Sequence, residues 1–144
     1  MKKVAIIGLG LIGGSLAVDI KRIFESTIIG VDANEENAKR ALEIGFVDEI
    51  SSLENLENIN VVIIATPVDT VSEIAIKVLD VIADETLVFD VGSVKVEICK
   101  SLANHPMRKN FLAAHPIAGT EFSGPEAAIP NLFKDKINII CELE

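Results

Sequence analysis

Three glycines near the amino terminus are the first residues whose spacing predicts chemistry. Gly8, Gly10 and Gly13 form the pattern GxGxxG within the segment GLGLIG. Where a strand turns into a helix, the first glycine permits a tight turn, the second lets backbone approach a pyrophosphate, and the third lets helix and strand pack closely. The amides around Leu11 and Ile12, at the positive end of the helix dipole, would bind the phosphates. The pattern predicts a dinucleotide site, although such turns also occur in α/β proteins that bind nothing.

Asp32 is the next candidate, because it ends the second predicted strand about 20 residues after the glycines. A carboxylate at this place can accept hydrogen bonds from the ribose hydroxyls of the adenosine. A 2′-phosphate would meet a like charge, and Ala33 and Asn34 offer no arginine to receive it. These residues therefore favour NAD over NADP. Asp32 could instead cap the helix that begins near Asn34, or do both.

Thr66, Pro67 and Val68 follow another predicted strand, at the edge where doubly wound sheets bind ligands. The three residues are equally consistent with contact to a cofactor and with an ordinary turn from a strand into a helix.

Ser93 and His115 form a second group of candidates. Ser93 lies in DVGSVK and His115 in HPIAGTEFSG, each after a predicted strand, so both should face the same sheet edge as the glycines. Histidine titrates near neutral pH and can accept or orient the proton of a substrate hydroxyl beside a hydride acceptor. Ser93 could bond to His115 or to a substrate carboxylate, or simply cap the next helix. The other histidine, His105, reads as part of a surface turn.

The elements that must position these residues alternate along the chain. Apolar runs predict the strands, and apolar residues at three- and four-residue spacing predict the helices. Thr70 and Glu73 have the spacing of a capping box and place one helix start at Thr70. The predicted strands are 2–7, 27–32, 46–50, 61–65, 86–91, 111–114 and 137–141, and the helices are 11–24, 34–44, 70–83 and a segment from Ser93 to about 104. Crossover connections of this kind predict an α/β fold with a doubly wound, mostly parallel sheet, a Rossmann-type dinucleotide-binding domain over residues 1–144.

Composition excludes several other classes of protein. The 144 residues are 49% hydrophobic and 24% charged, which is typical of one globular domain. The net charge of −9 argues against nucleic-acid binding, which requires neutralisation of phosphates. No apolar run approaches the length of about 20 residues that a membrane-spanning helix needs. Cys99 and Cys141 have no metal-binding spacing and predict unpaired thiols in the cytoplasm, with no metal site.

Taken together, four motifs carry a resemblance to a known family. The segments GLGLIGGSLA, ATPVDT, DVGSVK and AHPIAGTEFSG occur in this order over nearly the whole chain. In these motifs the chain resembles the prephenate dehydrogenases of tyrosine biosynthesis, a family that includes arogenate dehydrogenases. The combination of GSVK with HPIAGTE is far more specific than the glycine pattern alone.

The resemblance implies an activity and roles for particular residues. In this family NAD(P) accepts a hydride from the ring carbon that bears the 4-hydroxyl of prephenate, carbon dioxide leaves, and the ring becomes aromatic. By resemblance, His115 polarises that hydroxyl, and Ser93 is a partner of the substrate and of the histidine. Gly119, Thr120 and Glu121 would lie in a loop at the mouth of the site.

Some positions depart from the family pattern, and alternatives stay open. Val96 stands where a glycine commonly follows GSVK, and Phe122 where a lysine is common. The helical domain through which family members dimerise and hold the substrate carboxylate with an arginine is expected to be absent from this chain. The sequence assigns that role to neither Lys95 nor Arg108. The alternatives are a stand-alone NAD-binding module, an arogenate dehydrogenase and a dehydrogenase of another short hydroxy acid.

Overall fold

In the computed structural model, which describes residues 2–142, seven strands form one sheet. The strands are β1 (Lys2–Ile7), β2 (Ser26–Val31), β3 (Glu49–Ile50), β4 (Val61–Ile64), β5 (Leu87–Asp90), β6 (Phe111–Pro116) and β7 (Asn138–Cys141). The helices are α1 (Leu11–Ile23), α2 (Glu35–Ile44), α3 (Val68–Val81) and α4 (Val96–Leu102). Across the sheet the order is β3-β2-β1-β4-β5-β6-β7, and only the last pair is antiparallel. The predicted doubly wound, mostly parallel fold is confirmed.

The central strands are apolar along their whole length because both faces of the sheet are covered. In β1, Val4 and Ile6 pack in the cluster under α1 and α2, whereas Ala5 and Ile7 pack in the cluster under α3 and α4. Full burial of a side chain such as Ile6 stabilises the fold by about 1.5–3 kcal/mol. This two-sided burial explains why the strands read as continuous apolar runs.

The order of strands reverses at one place, which we call the switch point. That place determines where a ligand can bind. From β1 the chain winds outward to β2 and β3, then returns to β4 on the other side of β1. Loops at the carboxyl ends of β1 and β4 therefore diverge and leave a crevice between them. The glycine turn follows β1 and Thr66 follows β4, so both border this crevice.

The helix α3 begins two residues earlier than its sequence predicted. Pro67 is the residue before the helix, and its carbonyl accepts the first hydrogen bond, from the Thr70 amide at 2.9 Å, so α3 starts directly after it. The Thr70 hydroxyl donates to the Pro67 carbonyl at 2.7 Å, and Glu73 pairs with Lys77 at 2.6 Å. The predicted capping box is therefore wrong, since Thr70 lies inside the helix.

Two further alternatives for capping residues are also wrong. Asn34 caps α2 by accepting from the amides of Glu36 and Asn37, so Asp32 is not the cap. The helix α4 begins at Val96 and is preceded by Lys95, so Ser93 lies in a loop and caps nothing. Gly45 ends α2 with φ of 90°, as the sequence predicted.

The last two strands differ from their predicted bounds for a reason of pairing. The strand β6 continues through His115 to Pro116 because β7 pairs with it antiparallel, with His115 opposite Ile139. His115 thus lies inside a strand and does not follow one. Of the predicted strand 46–50 only Glu49–Ile50 pairs, at the edge of the sheet.

Candidate functional site

The glycine turn has the geometry that its sequence predicted. Gly8 has φ of 92°, and a Cβ there would lie 2.6 Å from the Ala65 carbonyl oxygen. A Cβ on Gly13 would lie 1.9 Å from the Gly8 carbonyl oxygen, so no side chain fits between the strand and α1. At Gly10, in contrast, no atom lies within 4 Å of a Cβ position. The space in front of the turn is open at the one glycine through which backbone would approach a ligand.

The amino terminus of α1 is free to bind an anion. Gly10 precedes the helix and provides no side-chain cap, and no acidic residue lies in the first turn. Uncapped amides and the helix dipole together favour a negative group at this position. Leu11 is buried and Ile12 half-buried, so both would contribute through the backbone more than through their side chains.

Asp32 is fixed by the turn on one side and by the start of α2 on the other. One carboxylate oxygen accepts from the Leu9 amide at 2.8 Å, and the other accepts from the Asn34 amide at 2.9 Å. Each oxygen of a carboxylate can accept more than one hydrogen bond. Since Asp32 lines the crevice, its remaining lone pairs are available to hydroxyl groups of a ligand there.

The crevice is a cleft of about 710 Å³, large enough for a nucleotide. It is bordered by the glycine turn, by Asp32 and by Thr66 and Pro67. Residues 51–54, which the sequence analysis did not select, form another wall. They directly follow β3. Residues that follow a strand of a parallel sheet lie at its ligand-binding edge, and this position was the signal in the sequence that could have identified them. This wall is made of Ser51, Ser52, Leu53 and Glu54.

Val68, the third residue of this predicted group, does not line the cleft and lies against the loop after β5. The Thr66 and Thr70 hydroxyl oxygens lie 3.0 Å apart, within hydrogen-bond distance, which holds the turn before α3. Val68, partly exposed, has its Cγ2 only 3.3 Å from where a Cβ of Gly92 would lie. The segment 66–68 therefore lies between the cleft and the loop that carries Ser93.

Ser93 and His115 lie at the same edge of the sheet, outside the walls of the large cleft. The strands β5 and β6 are parallel neighbours, and their last pair is Asp90 with Ala113. Ser93 follows Asp90 and His115 follows Ala113 by a few residues. Ser93 is exposed and His115 half-buried. In the described part of the chain their side chains form no hydrogen bond with each other. The structure brings the loop of Ser93 next to the end of β6, which carries His115, and leaves the contact between the two side chains a prediction.

A buried ion pair lies beneath these loops, and sequence reasoning missed it. Asp90, fully buried at the end of β5, pairs with the Lys95 ammonium, whose side chain is 11% exposed. The same ammonium donates to the Ala114 carbonyl at 2.7 Å, and the Gly92 amide donates to Asp90 at 2.9 Å. The spacing DxxxxK was visible in the sequence, but only the tertiary fold turns the lysine back toward the aspartate.

The structure also locates the second cation that the sequence left unassigned. Arg108 precedes β6, at the opposite end of the strand from His115, and donates to the Phe111 carbonyl at 2.8 Å. It also pairs with Glu142 at 3.1 Å. Neither Arg108 nor the inward-turned Lys95 is placed to hold a substrate carboxylate beside His115.

The predicted mouth residues lie in the segment between β6 and β7, which we call the return loop (residues 117–137). Gly119, Thr120 and Glu121 are exposed, and the Thr120 hydroxyl oxygen accepts from the Phe122 amide at 3.2 Å. The loop then runs back over the first two helices. Three contacts hold it there. The Ile129 amide donates to the Ser15 hydroxyl at 3.0 Å, and the Asn131 amide donates to the Asp19 carboxylate at 3.0 Å. Arg40 forms an ion pair with Glu126 at 2.7 Å.

Two structural findings concern other classes of site. Within residues 2–142, no helix combines the length and apolarity that crossing a membrane requires. The same residues contain no cluster of three His, Cys, Asp or Glu side chains that could hold a metal ion. Cys99, which is buried, and Cys141 are free thiols.

Comparison with known proteins identifies relatives over the whole chain. Residues 16–144 match the family model "Prephenate dehydrogenase, nucleotide-binding domain". Prephenate dehydrogenase of Lactococcus lactis is 35% identical over 99% of this chain and 41% of the relative. The A. aeolicus prephenate dehydrogenase structure, in complex with hydroxyphenyl propionate and NAD+, is 36% identical with a TM-score of 0.90, over 100% of this chain and 51% of that one. Synechocystis arogenate dehydrogenase is 31% identical with a TM-score of 0.87, over 96% and 49%.

Proposed function

Because the chain belongs to the family of prephenate dehydrogenase nucleotide-binding domains, we propose that it binds NAD and supplies the cofactor half of a prephenate dehydrogenase. The observation that carries this proposal is the open cleft at the switch point, bordered by the uncapped start of α1 and by Asp32. The chain spans about half the length of the relatives that it matches.

The shape and charge of the cleft fit NAD in particular. The open space at Gly10 leaves room for a pyrophosphate, and the helix amides provide donors to it. Asp32 and Glu54 both line the cleft, so a 2′-phosphate would be repelled by two carboxylates. Glu54 is exposed and charged at neutral pH, and a side-chain hydrogen bond with Ser52 lowers the pKa of this carboxyl further. These features support the choice of NAD over NADP.

The proposed reaction assigns a proton to His115 and a hydride to the cofactor. The nicotinamide, when bound, supplies the hydride acceptor. His115 accepts the proton of the substrate 4-hydroxyl as hydride leaves the carbon that bears it. The bond to the ring carboxylate then breaks, carbon dioxide departs, and the electron pair completes the aromatic ring, whose oxygen takes the proton back from His115 to give the phenol. Ser93 orients the hydroxyl or the imidazole, and Gly119, Thr120 and Glu121 border the entrance. A positioned general base contributes about 10²–10⁴-fold to such a step.

Substrate identity and assembly are further parts of the proposal. The relatives include both prephenate and arogenate dehydrogenases, so the substrate is a cyclohexadienyl carboxylic acid of this class. The group that holds its carboxylate is proposed to come from a helical domain, because Lys95 and Arg108 both point elsewhere. A homodimer formed through that domain and a cytoplasmic location complete the proposal.

A second candidate function is a nucleotide-binding module that does not turn over by itself. One observation favours it: Ser93 and His115 do not line the large cleft. Such a module would bind NAD and require a partner domain for activity.

One experiment tests both candidates. The chain is titrated with NAD+ by calorimetry, and prephenate is then added while NADH absorbance is followed. Binding followed by turnover supports the dehydrogenase. Binding without turnover, with activity restored by a co-expressed helical domain, supports the module. Absence of NAD+ binding would refute both.

A further inference from the structure

We propose that Lys95 is a positioning residue for His115, acting through the carbonyl group of Ala114. The inference rests on the proposed function, in which the imidazole of His115 is the proton acceptor. Ala114 and His115 share one peptide group, and the Lys95 ammonium donates to the oxygen of that group at 2.7 Å. The lysine therefore fixes the plane from which the histidine side chain projects.

The pairing of the sheet explains why a lysine is needed at this point. Pairing between β5 and β6 ends where Asp90 lies opposite Ala113, so the next carbonyl of β6 has lost its neighbouring strand. An unpaired carbonyl in a partly buried place costs free energy comparable to a lost hydrogen bond. Lys95 supplies the donor that the ended strand no longer supplies. On the other side, β7 holds His115 in register with Ile139.

The same cluster fixes the loop that carries Ser93. One carboxylate oxygen of Asp90 accepts hydrogen bonds from the Lys95 ammonium and from the amide of Gly92, the residue just before Ser93. The loop of Ser93 and the strand of His115 are thus both joined to one buried pair. Its arrangement sets the separation of the two candidate catalytic groups.

The geometry argues against a role for Lys95 in binding substrate. Its ammonium is turned into the protein toward Asp90 and Ala114, and only 11% of its side chain is exposed. A purely stabilising role is also a poor explanation. Replacement of both members of a buried ion pair by uncharged groups is often neutral or favourable, because neither charge then has to be desolvated. The loss of the donor to Ala114 would remain, and this difference can be measured.

The test compares three variants in the NAD+ and prephenate assay, with the helical domain supplied if turnover requires it. Asp90→Asn combined with Lys95→Met removes both charges and keeps an acceptor for the Gly92 amide. Lys95→Met alone leaves the Asp90 charge unpaired and is expected to unfold at a lower temperature. Lys100→Met is the matched control, since Lys100 lies on α4, the helix that directly follows Lys95, with 70% of its side chain exposed.

The double variant should remain folded and bind NAD+ with unchanged affinity, and its kcat should fall about tenfold to hundredfold, as misplacement of a catalytic group predicts. The KM for NAD+ should not change, and Lys100→Met should behave as the parent protein. A folded double variant with kcat within about twofold of the parent would overturn the inference.

A second measurement separates this inference from the proposed function. If the parent chain binds NAD+ but never turns over, the imidazole signals of His115 are recorded by NMR, with His105→Gln used for assignment. They should shift in the double variant and stay unchanged in Lys100→Met. Unchanged His115 signals in the double variant would refute the positioning role whether or not the protein is an enzyme.

Discussion

Substitution of Gly10 by alanine should separate ligand binding from stability. No atom lies within 4 Å of a Cβ at Gly10, and its φ of −81° is accessible to any residue. Alanine gains about 0.4–1 kcal/mol by restricting the unfolded chain. It loses a comparable amount because it is a poorer residue than glycine before a helix. The free energy of unfolding should therefore change by less than about 1 kcal/mol.

The effect on NAD+ should be much larger, because the methyl group would occupy the space through which backbone approaches the pyrophosphate. Forcing a methyl group into a close contact costs about 1–3 kcal/mol. This cost corresponds to an affinity lower by about fivefold to 150-fold. Calorimetric titration with NAD+ measures the affinity, and thermal unfolding followed by circular dichroism measures the stability.

Gly13→Ala is the matched control at the same turn. Its Cβ would lie 1.9 Å from the Gly8 carbonyl oxygen, so this variant should lose about 3 kcal/mol or more of stability before any ligand is added. If Gly10→Ala binds NAD+ as tightly as the parent, no pyrophosphate lies against this turn and the assignment of the cleft is wrong.

Three other substitutions test separate parts of the site and fold. Asp32→Asn should weaken NAD+ binding severalfold and reduce the preference over NADP+, as measured by paired titrations; an unchanged preference would exclude Asp32 as the selecting group. His115→Asn should lower kcat by about 10²–10⁴-fold with unchanged NAD+ affinity, and a surviving rate would refute its role as base. Burial raises the pKa of Asp48, but hydrogen bonds from Lys21 and the Ile28 amide outweigh it and lower this pKa overall. The Asp48 carboxylate thus stabilises the fold fully when the pH is above its pKa in the unfolded protein. This stabilisation is lost as the pH falls through its pKa in the folded protein. Asp48→Asn should therefore cost at most about 1 kcal/mol at neutral pH and nothing in strong acid, and an equal cost at both would contradict the ion pair.

The sequence predicted most of the fold because its signals were local. Apolar runs such as residues 61–65 marked strands buried on both faces, and Gly45 marked the end of α2. The errors occurred where competing local signals were close together. Thr70 and Glu73 have the spacing of a cap, but Pro67 starts the helix earlier. The strand β6 is longer than predicted because β7, distant in sequence, pairs with its end.

The candidate site was predictable only where residues directly follow strands. Gly8, Asp32 and Thr66 all follow strands next to the switch point, so their meeting follows from the topology. The wall made by residues 51–54 was missed because the two-residue strand before it gave a weak signal. The pairing of Lys95 with Asp90 and Ala114 depends on the direction in which a long side chain folds back, which no spacing in the sequence specifies.

The anchoring of the return loop has a consequence for the energetics of ligand capture. Ser15 and Asp19 lie on α1, the helix whose uncapped first turn we propose as the pyrophosphate site, and they hold the loop that begins beside His115. The loop is therefore tied down on the cofactor helix before any small molecule arrives. Ordering a mobile segment upon binding lowers affinity. Because the return loop is already ordered by these contacts, binding of a nucleotide would not carry this entropic cost.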